Sequence, residues 1–492
     1  MIERSSGILL HPTSLPGPQG IGDLGQHAYD WVDFLAKGGF SWWQFLPIGT
    51  TGFGHSPYQS FSSFAGNPLL ISLEKLVDDG LLDTNEIITE KKYANDQVDY
   101  SKVIAFKEPL LVKAAKKLQN RDQYPASLEK FWQENNEWIS EFALFMALKQ
   151  KYGNQAWVNW PRELRDRLPE AIKKAKDDLS EEIRVHTNIQ LLFAEQWQKL
   201  RNYAQEKGIG LIGDLPIYVA HDSVDVWSNR KLFQIKEDGH LTAQAGVPPD
   251  YFTETGQLWG NPLYVWDQHA RDNYAWWGKR LSQALATFDL IRLDHFRGFA
   301  GYYSVPADHK TAKHGEWIEG PGIPFFEAMK SESENFSIIA EDLGEITPDV
   351  IELRDQFNIP SMKILQFAFL EGKDHEFLPH NYPQNAVAYT STHDNETSRS
   401  WFENSDRKVR EFALSYLDAT ENSIVEKMIA AVFNSGASLA IIPMQDLLNL
   451  DNKARMNFPG SLQGNWRWRM PANYMDNSLV EKMKTLNLVA RR

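Results

Sequence analysis

The chain has 492 residues, of which 42% are hydrophobic and 24% are charged, and this ordinary globular composition excludes global disorder and fibrous architectures. Its 51 Lys and Arg residues against 65 Asp and Glu residues give a formal charge of −14, which argues against nucleic acid as a partner. The complete lack of cysteine excludes disulfides, thiolate nucleophiles and cysteine-ligated metal sites.

No apolar run reaches the length of a membrane span, and the N-terminal stretch lacks the features of a secretory signal. We therefore expect a cytoplasmic protein without a membrane partner, or alternatively a plastid protein that has lost its transit peptide. The oligomeric state does not follow from the sequence. Aromatic residues reach 12%, with 17 Trp, and besides core packing such rings can stack on the C–H faces of sugars.

Eight short apolar runs, each ending in polar, Gly or Pro residues, are typical of strands buried on both faces. Amphipathic segments lie between several of the runs, and residues 26–37 are one example. Eight strands alternating with helices predict an α/β fold, a (β/α)8 TIM barrel that spans residues 1–492 as one catalytic unit. The predicted strands occupy residues 7–10, 42–48, 210–217, 290–294, 337–341, 362–369, 386–390 and 438–443.

The uneven spacing of these runs predicts two insertions. Residues 70–205 form a helical insertion after the second strand, in which residues 128–146 and 182–207 keep a helical period. Residues 220–285, after the third strand, are rich in Trp, Pro and Gly and are expected to form loops with short helices. Residues 371–384 contain two prolines, so no full helix is expected there.

Acidic residues follow four of the predicted strands, at Asp214, Asp294, Glu341 and Asp394. Catalytic groups of a TIM barrel lie at the C-terminal ends of its strands. A barrel built for stability alone has no reason to collect carboxylates at one mouth, because like charges repel. The sequence therefore predicts an active site at this end.

Arg292 and Asp294 are two residues apart and so share one face of a strand. A guanidinium beside a carboxylate keeps it ionised, as a nucleophile must be. A structural ion pair at the barrel rim is the alternative. Glu341 follows an apolar run, where burial raises the pKa of a carboxyl group and suits a general acid. A surface residue is the alternative, and the neighbouring Asp342, which points the other way, fits that description better.

The segment of residues 393–396 places a dense polar cluster after an apolar strand. Asp394 could hold sugar hydroxyls, with a neutral His393 beside it as donor and acceptor. Turn chemistry is one alternative and a metal site another, although no close pairing of metal ligands supports the latter. We expect neither a metal nor a cofactor.

Two Gly- and Pro-rich loops carry aromatic residues. The first, residues 246–262, contains Tyr251, Phe252 and Trp259, and the second, residues 457–468, follows the eighth strand. Aromatic loops beside a barrel mouth favour a lid or a substrate shelf, with ordinary packing of Trp as the alternative.

Together these motifs resemble the 4-α-glucanotransferases of the amylomaltase or disproportionating-enzyme type, in the α-amylase clan. Each motif alone would indicate only an α-amylase-like protein, whereas the ordered set covers nearly the full chain. The segments that carry the resemblance are residues 13–25, 56–68, 213–219, 246–262, 292–298, 340–344, 392–397 and 459–469.

The resemblance implies a role for each matched residue. Asp294 would be the nucleophile, Glu341 the general acid and then base, and Asp394 the carboxylate that grips the sugar being transferred. Residues implied to line the donor subsite are Tyr58, Asp214, Arg292, His295 and His393. Residues implied to contact neighbouring glucose units are Ser56, Gln257, Trp259 and Asn465, with Glu254 in a loop that closes.

The implied reaction is transfer of α-1,4-glucan segments from a maltooligosaccharide, starch or glycogen donor to the 4-hydroxyl of an acceptor, with ring closure to cycloamylose as one outcome. It would proceed by a retaining double displacement. Two alternatives stay open at this point. One is an α-1,4-glucan hydrolase of the same clan, with water as acceptor. The other is a non-catalytic glucan-binding protein on the same barrel.

Overall fold

Eight parallel strands form the centre of the molecule. The computed structural model describes residues 2–89, 93–119, 125–249, 253–332, 336–370, 375–461, 464–475 and 477–492. The eight strands are β1 (Ser5–Leu9), β2 (Trp42–Gln44), β3 (Gly210–Leu215), β6 (Leu290–Leu293), β9 (Ile338–Ala340), β10 (Ser361–Ile364), β11 (Ala386–Tyr389) and β12 (Leu439–Pro443).

The eight strands form a nearly closed barrel in the order β10-β11-β12-β1-β2-β3-β6-β9. The two end strands meet where the Ala340 backbone N–H donates to the Pro360 carbonyl over 3.0 Å. Most strand residues are buried, because helices cover the outer face and side chains fill the barrel. The predicted (β/α)8 fold is confirmed, and all eight predicted strands are present, though several are shorter than their apolar runs.

Helices cover the barrel and form the first insertion, which lies between β2 and β3. Between β2 and β3 lie the helices from α2 (Leu73–Asp78) to α7 (Ser180–Glu206), among which α4 (Ala126–Lys151) and α7 pack against each other. Gly208, at φ 74°, ends the last of these helices because this left-handed conformation strains any residue with a Cβ. The helices preceding β6 are α1 (Gln26–Lys37), α2 (Leu73–Asp78), α3 (Tyr100–Gln119), α4 (Ala126–Lys151), α5 (Arg162–Arg165), α6 (Pro169–Asp178), α7 (Ser180–Glu206), α8 (Val224–Ser228), α9 (Trp266–Ala270) and α10 (Ala275–Thr287).

The later helices follow the barrel strands more regularly. They are α11 (Gly322–Glu332), α12 (Pro348–Gln356), α13 (Ser398–Asn404), α14 (Arg407–Leu417), α15 (Ile424–Asn434), α16 (Met444–Leu447) and α17 (Asn477–Ala490). In residues 375–384 the described chain forms only a 3₁₀ turn at Pro379–Asn381, as the prolines indicated. Among the helices that the structure describes, none is both long and apolar enough to cross a lipid bilayer.

A four-stranded antiparallel sheet lies beside the barrel. Two of its strands fall within residues 220–285, where the expected short helices α8 and α9 are present but no strands were expected. Its strands are β4 (Ala243–Val247), β5 (Gln257–Pro262), β7 (Gly301–Pro306) and β8 (Glu316–Glu319), in the order β5-β4-β7-β8. The Gly- and Pro-rich composition of residues 246–262 weakened the strand pattern of β4 and β5 in the sequence. At Gly246, a Cβ would lie 2.3 Å from the Gln257 carbonyl oxygen, so the close approach of β4 and β5 requires glycine.

Candidate active site

The acidic residues predicted at the strand ends do meet at one mouth of the barrel. Asp214 lies near the end of β3, Asp294 directly follows β6, Glu341 directly follows β9, and Asp394 lies in the loop after β11. These strand ends are close together because β3, β6 and β9 are neighbours in the sheet.

Arg292 lies between two of these carboxylates and contacts both. Its Nη1 is 2.8 Å from each carboxylate oxygen of Asp214, and its Nη2 is 3.0 Å from Asp294 Oδ1. The side chains of Asp214 and Arg292 are 0% and 5% exposed, whereas that of Asp294 is 26% exposed. The strand geometry thus buries one carboxylate as a fixed partner of Arg292 and leaves the other accessible at the mouth.

Two opposing effects set the charge of Asp294. Burial raises the pKa of Asp294, the guanidinium of Arg292 lowers it, and the neighbouring carboxylates of Asp214 and Asp394 raise it, so that together these effects bring the pKa to about 6. Because this pKa lies below neutrality, the Asp294 carboxylate is mostly ionised at pH 7. An ionised carboxylate at an accessible position can act as a nucleophile.

Glu341 is fastened to the strand end that carries Asp294. Its backbone N–H donates to the Leu293 carbonyl over 3.0 Å, and its Oε2 accepts from the backbone N–H of His295 over 2.7 Å. Burial raises the pKa of Glu341 well above its usual range, and the nearby charge of Asp294 adds to this effect. A carboxyl group that holds its proton at neutral pH beside an ionised one provides an acid and a nucleophile.

The next residue, Asp342, serves the structure instead. Its Oδ2 accepts from Arg354 over 2.6 Å and its Oδ1 from the backbone N–H of Met362 over 2.8 Å. It is 5% exposed, so the expectation that Asp342 is a surface residue is wrong, whereas its direction away from the mouth agrees with the alternation of side chains along a strand.

A chain of short polar contacts joins Asp394 to the buried carboxylate of Asp214. The Tyr58 hydroxyl donates to Asp214 Oδ2 over 2.7 Å, and His393 Nε2 lies 2.8 Å from the same hydroxyl. Since the hydroxyl has only one proton, its oxygen accepts from His393 Nε2–H. This nitrogen is also 3.2 Å from Asp394 Oδ2. Tyr58, with its ring stacked on the His393 imidazole, is therefore a central element of the site.

The two histidines of the mouth are held uncharged. Burial lowers the pKa of His393, and burial together with the nearby Arg297 lowers the pKa of His295 to about 3. A neutral imidazole can donate from one nitrogen and accept at the other, which suits contact with sugar hydroxyls. His295 adopts a left-handed backbone conformation, at φ 49°, which turns its N–H toward Glu341.

Trp259, which belongs to the aromatic loop of residues 246–262, lies at the mouth of the barrel. Its ring packs edge-on against His295 at a centroid distance of 4.9 Å, and its Nε1–H donates to Gln257 Oε1 over 3.2 Å. The Gln59 side chain donates to the Trp259 carbonyl over 3.3 Å, which ties β5 to the segment that carries Tyr58. The other two aromatic residues predicted for this loop, Tyr251 and Phe252, lie outside the described residues.

Among the residues that the structure describes, Ser56 and Asn465 make local contacts, and Glu254 is exposed. The Ser56 hydroxyl accepts from the backbone N–H of Tyr58 over 3.2 Å and shapes that turn. Asn465 is exposed and hydrogen-bonds within its own loop, to Phe458 N–H and the Ser461 carbonyl. Glu254 is exposed in a turn between β4 and β5.

The structure adds two residues that sequence reasoning did not single out. Asn457 Nδ2 donates to Asp394 Oδ1 over 2.6 Å. The Trp466 ring lies 5.7 Å from that of Tyr58 and 6.0 Å from that of His393. Both belong to the loop after β12, whose aromatic, Gly-rich composition was the available signal, although it did not indicate which residues face the site.

Comparison with known sequences places the chain among glucan-transferring enzymes. A family model described as 4-alpha-glucanotransferase matches residues 10–475. A 4-alpha-glucanotransferase of Streptococcus pneumoniae is 44% identical over 497 residues, covering 100% of this chain and 98% of that protein. The chloroplastic/amyloplastic 4-alpha-glucanotransferase of Solanum tuberosum is 43% identical, covering 99% of this chain and 86% of that protein.

Solved structures show the same relationship. The amylomaltase of Streptococcus agalactiae, determined in complex with acarbose, superposes with a TM-score of 0.96 at 38% identity, covering 100% of both chains. The amylomaltase of Corynebacterium glutamicum, at 18% identity and a TM-score of 0.78, covers 99% of this chain and 74% of that one and shares the fold.

Proposed function

The chain belongs to the 4-alpha-glucanotransferase family, and we propose that its three mouth carboxylates transfer α-1,4-glucan segments by a retaining double displacement. The protein is a transferase that acts on α-glucans. In this proposal Asp294 is the nucleophile, Glu341 the acid and then the base, and Asp394 the group that grips the donor sugar.

In the first half-reaction the Asp294 carboxylate attacks the anomeric carbon of the donor glucose unit. Glu341 gives its proton to the glycosidic oxygen, so the C1–O bond breaks and the leaving glucan departs with a free 4-hydroxyl. The bond formed in exchange is an ester between Asp294 and C1. Asp294 now carries the glycosyl group, and Glu341 is ionised.

In the second half-reaction Glu341 removes the proton from the 4-hydroxyl of an acceptor glucan. The acceptor oxygen attacks C1, the ester breaks, and Asp294 regains its negative charge. Two inversions at C1 return the α configuration. When the acceptor is the other end of the same chain, the product is a cycloamylose.

Substrate contacts follow from the polar and aromatic groups around the carboxylates. The chain from Asp394 through His393 and Tyr58 offers hydroxyl, imidazole and carboxylate groups to the donor sugar. The buried ion pair of Asp214 and Arg292 contributes the fixed charges next to the donor sugar. Ser56, Gln257, Trp259 and Asn465 are assigned to neighbouring glucose units, and Glu254 to the loop that closes over them.

The observation that carries this proposal is the pairing of Glu341 with the strand end that bears Asp294. One carboxyl group has a pKa raised well above its usual range and the other a pKa of about 6, so the pair supplies a proton donor and a nucleophile at the same pH. The names of the relatives favour transfer over hydrolysis, which uses the same carboxylates with water as acceptor. The cytoplasmic location and independence from metals and cofactors stay predictions.

Maltotriose incubated with the purified protein tests the reaction directly. Transfer yields glucose and a ladder of longer maltooligosaccharides while the total number of reducing ends stays constant, because every bond broken is replaced. A rising number of reducing ends with short products only would establish hydrolysis and refute the proposal. Chromatography of the products and a reducing-sugar assay on the same samples distinguish the two.

A further inference from the structure

A single buried carboxylate, Asp446, fastens both ends of the loop of residues 390–398. The hydroxyl groups of Thr390, Ser391 and Ser398 donate to Asp446 Oδ2 over 2.6, 2.7 and 2.7 Å. The backbone N–H of Ser398 donates to Oδ1 over 2.7 Å. Thr390 directly follows β11 and Ser398 begins α13, so one side chain ties the entry of this loop to its exit.

The chemistry of Asp446 matches its surroundings. It lies in α16, after β12, with 1% of its surface exposed. An ionised carboxylate only accepts hydrogen bonds and offers about four acceptor sites, and the four donors of the 390–398 loop supply one proton each. Burial of a carboxylate is costly unless such donors compensate it, so this arrangement stabilises one conformation of the loop.

The position of Asp394, inside this loop, depends on contacts with residues outside the loop. The side chain of Asp394 is 42% exposed, and its carboxylate contacts Asn457 on one side and His393 on the other. A side chain that must remain open to a sugar cannot be fixed by burial. Its position depends on the backbone that carries it, and Asp446 holds that backbone from behind.

We propose that Asp446 is a positioning residue for the transfer reaction, which keeps Asp394 and His393 aimed at the donor sugar without contacting it. The inference rests on the role proposed above for Asp394. A displacement of about 1 Å in a substrate-positioning group can cost about 100-fold in rate, so the loop conformation has a large effect on turnover.

Asp446→Asn is the informative substitution, because the amide keeps the shape but replaces an acceptor oxygen with a donor. We expect kcat/KM for maltotriose to fall by about 30-fold, within the range for misplaced positioning groups. Asp23→Asn is the matched control: Asp23 is also buried and accepts from Lys107 over 3.1 Å and from Gly25 N–H over 3.0 Å. Both variants lower Tm, but at temperatures well below it the control should keep its activity.

A double-mutant cycle separates positioning from general destabilisation. On a Glu341→Gln background, in which transfer is about 10³-fold slower, calorimetry gives Kd for maltotriose with Asp446→Asn, with Asp394→Asn and with both. We expect Asp446→Asn to weaken binding by about 10-fold and to add almost nothing once Asp394 is replaced, since both changes remove the same contact. Should Asp446→Asn not fold, Thr390→Val with Ser391→Ala keeps the carboxylate and should show the same coupling at about threefold.

Three outcomes overturn the inference. The first is an Asp446→Asn variant with lowered Tm but unchanged kcat/KM and Kd. The second is a binding loss that adds fully to that of Asp394→Asn, which would indicate a structural effect elsewhere. The third is an Asp394→Asn variant that binds and transfers normally. That result also refutes the role proposed for Asp394, whereas the first two leave it intact.

Discussion

The two sides of the barrel mouth hold their carboxylates by different means. On one side, Asp294 and Glu341 directly follow β6 and β9, and backbone hydrogen bonds and Arg292 fix them. On the other, Asp394 lies in a loop after β11 and is fixed through neighbours and through Asp446 behind it. We refer to them as the strand side and the loop side.

The difference follows from the role proposed for each side. In the proposal the strand side breaks the glycosidic bond, which requires two carboxyl groups with unequal pKa values, and burial among apolar strands supplies that inequality. In the proposal the loop side recognises sugar hydroxyls, which requires an accessible acceptor. Accessibility excludes burial as a means of fixation, so the loop side depends on hydrogen bonds from behind.

Asp294→Asn provides the strongest test of the strand side. We expect transfer of maltotriose to fall by about 10⁴-fold or more, because an amide cannot form the glycosyl ester. Asp289→Asn is the matched control. Asp289 accepts from Leu211 N–H over 2.9 Å at the other end of the same strand pair, and this variant should retain activity. Equal losses in both variants would indicate barrel disruption instead of a lost nucleophile.

Glu341→Gln should reduce transfer from maltotriose by about 10³-fold, since the amide cannot protonate the leaving oxygen. The loss should be much smaller for the glycosylation step with α-maltosyl fluoride, whose leaving group needs no proton. Burst release of fluoride measures that step. A donor-independent loss would contradict the assignment of Glu341 as the acid.

The pH profile of kcat/KM tests the proposed division of roles on the strand side, in which Asp294 is the nucleophile and Glu341 the acid. Activity requires ionised Asp294, so it falls as pH drops through the pKa near 6. It also requires protonated Glu341, so it falls again as pH rises through the raised pKa of that group. Arg292 lowers the pKa of Asp294, so Arg292→Lys, which weakens that contact, should move the acidic limb to higher pH and reduce relative activity at pH 5 by about threefold. An unmoved acidic limb would assign it to another group.

Trp259→Ala is expected to have the smallest effect and concerns neither side directly. The ring covers His295 at the mouth, where it can bind sugar and shed water. We expect the ratio of transfer to hydrolysis, measured as ladder formation against new reducing ends, to fall by about three- to fivefold. An unchanged ratio would show that other groups exclude water.

The sequence sufficed to predict the barrel because strands buried on both faces must be apolar. All eight such runs form barrel strands, and the predicted family is confirmed by the relatives. The antiparallel sheet was missed, since Gly246 and its neighbours serve close backbone approach and carry little strand signal. Several strand lengths were overestimated, and in the sixth run the reason is that residues 365–369 form a 3₁₀ helix instead of extending β10.

The strand side of the site was also more predictable than the loop side. Asp294 and Glu341 are identified by their position after an apolar run, which the sequence displays. Asn457 and Trp466 are contacts between separate loops, so their partners depend on tertiary structure. The four hydrogen bonds of Asp446 likewise cannot be inferred from the sequence, because its donors are 48 to 56 positions away along the chain.

The three successive peptide groups around Asp294 have a stereochemical consequence. The Leu293 carbonyl accepts from Glu341 N–H, His295 N–H donates to Glu341 Oε2, and Phe296 N–H donates to the Glu341 carbonyl. The distance between the two carboxyl groups decides whether a glycosidase retains or inverts the anomeric centre. In the proposed mechanism this distance depends on the backbone pairing of two short strands together with the contact of Arg292 to Asp294, so the configuration of the product is tied to the register of β6 and β9.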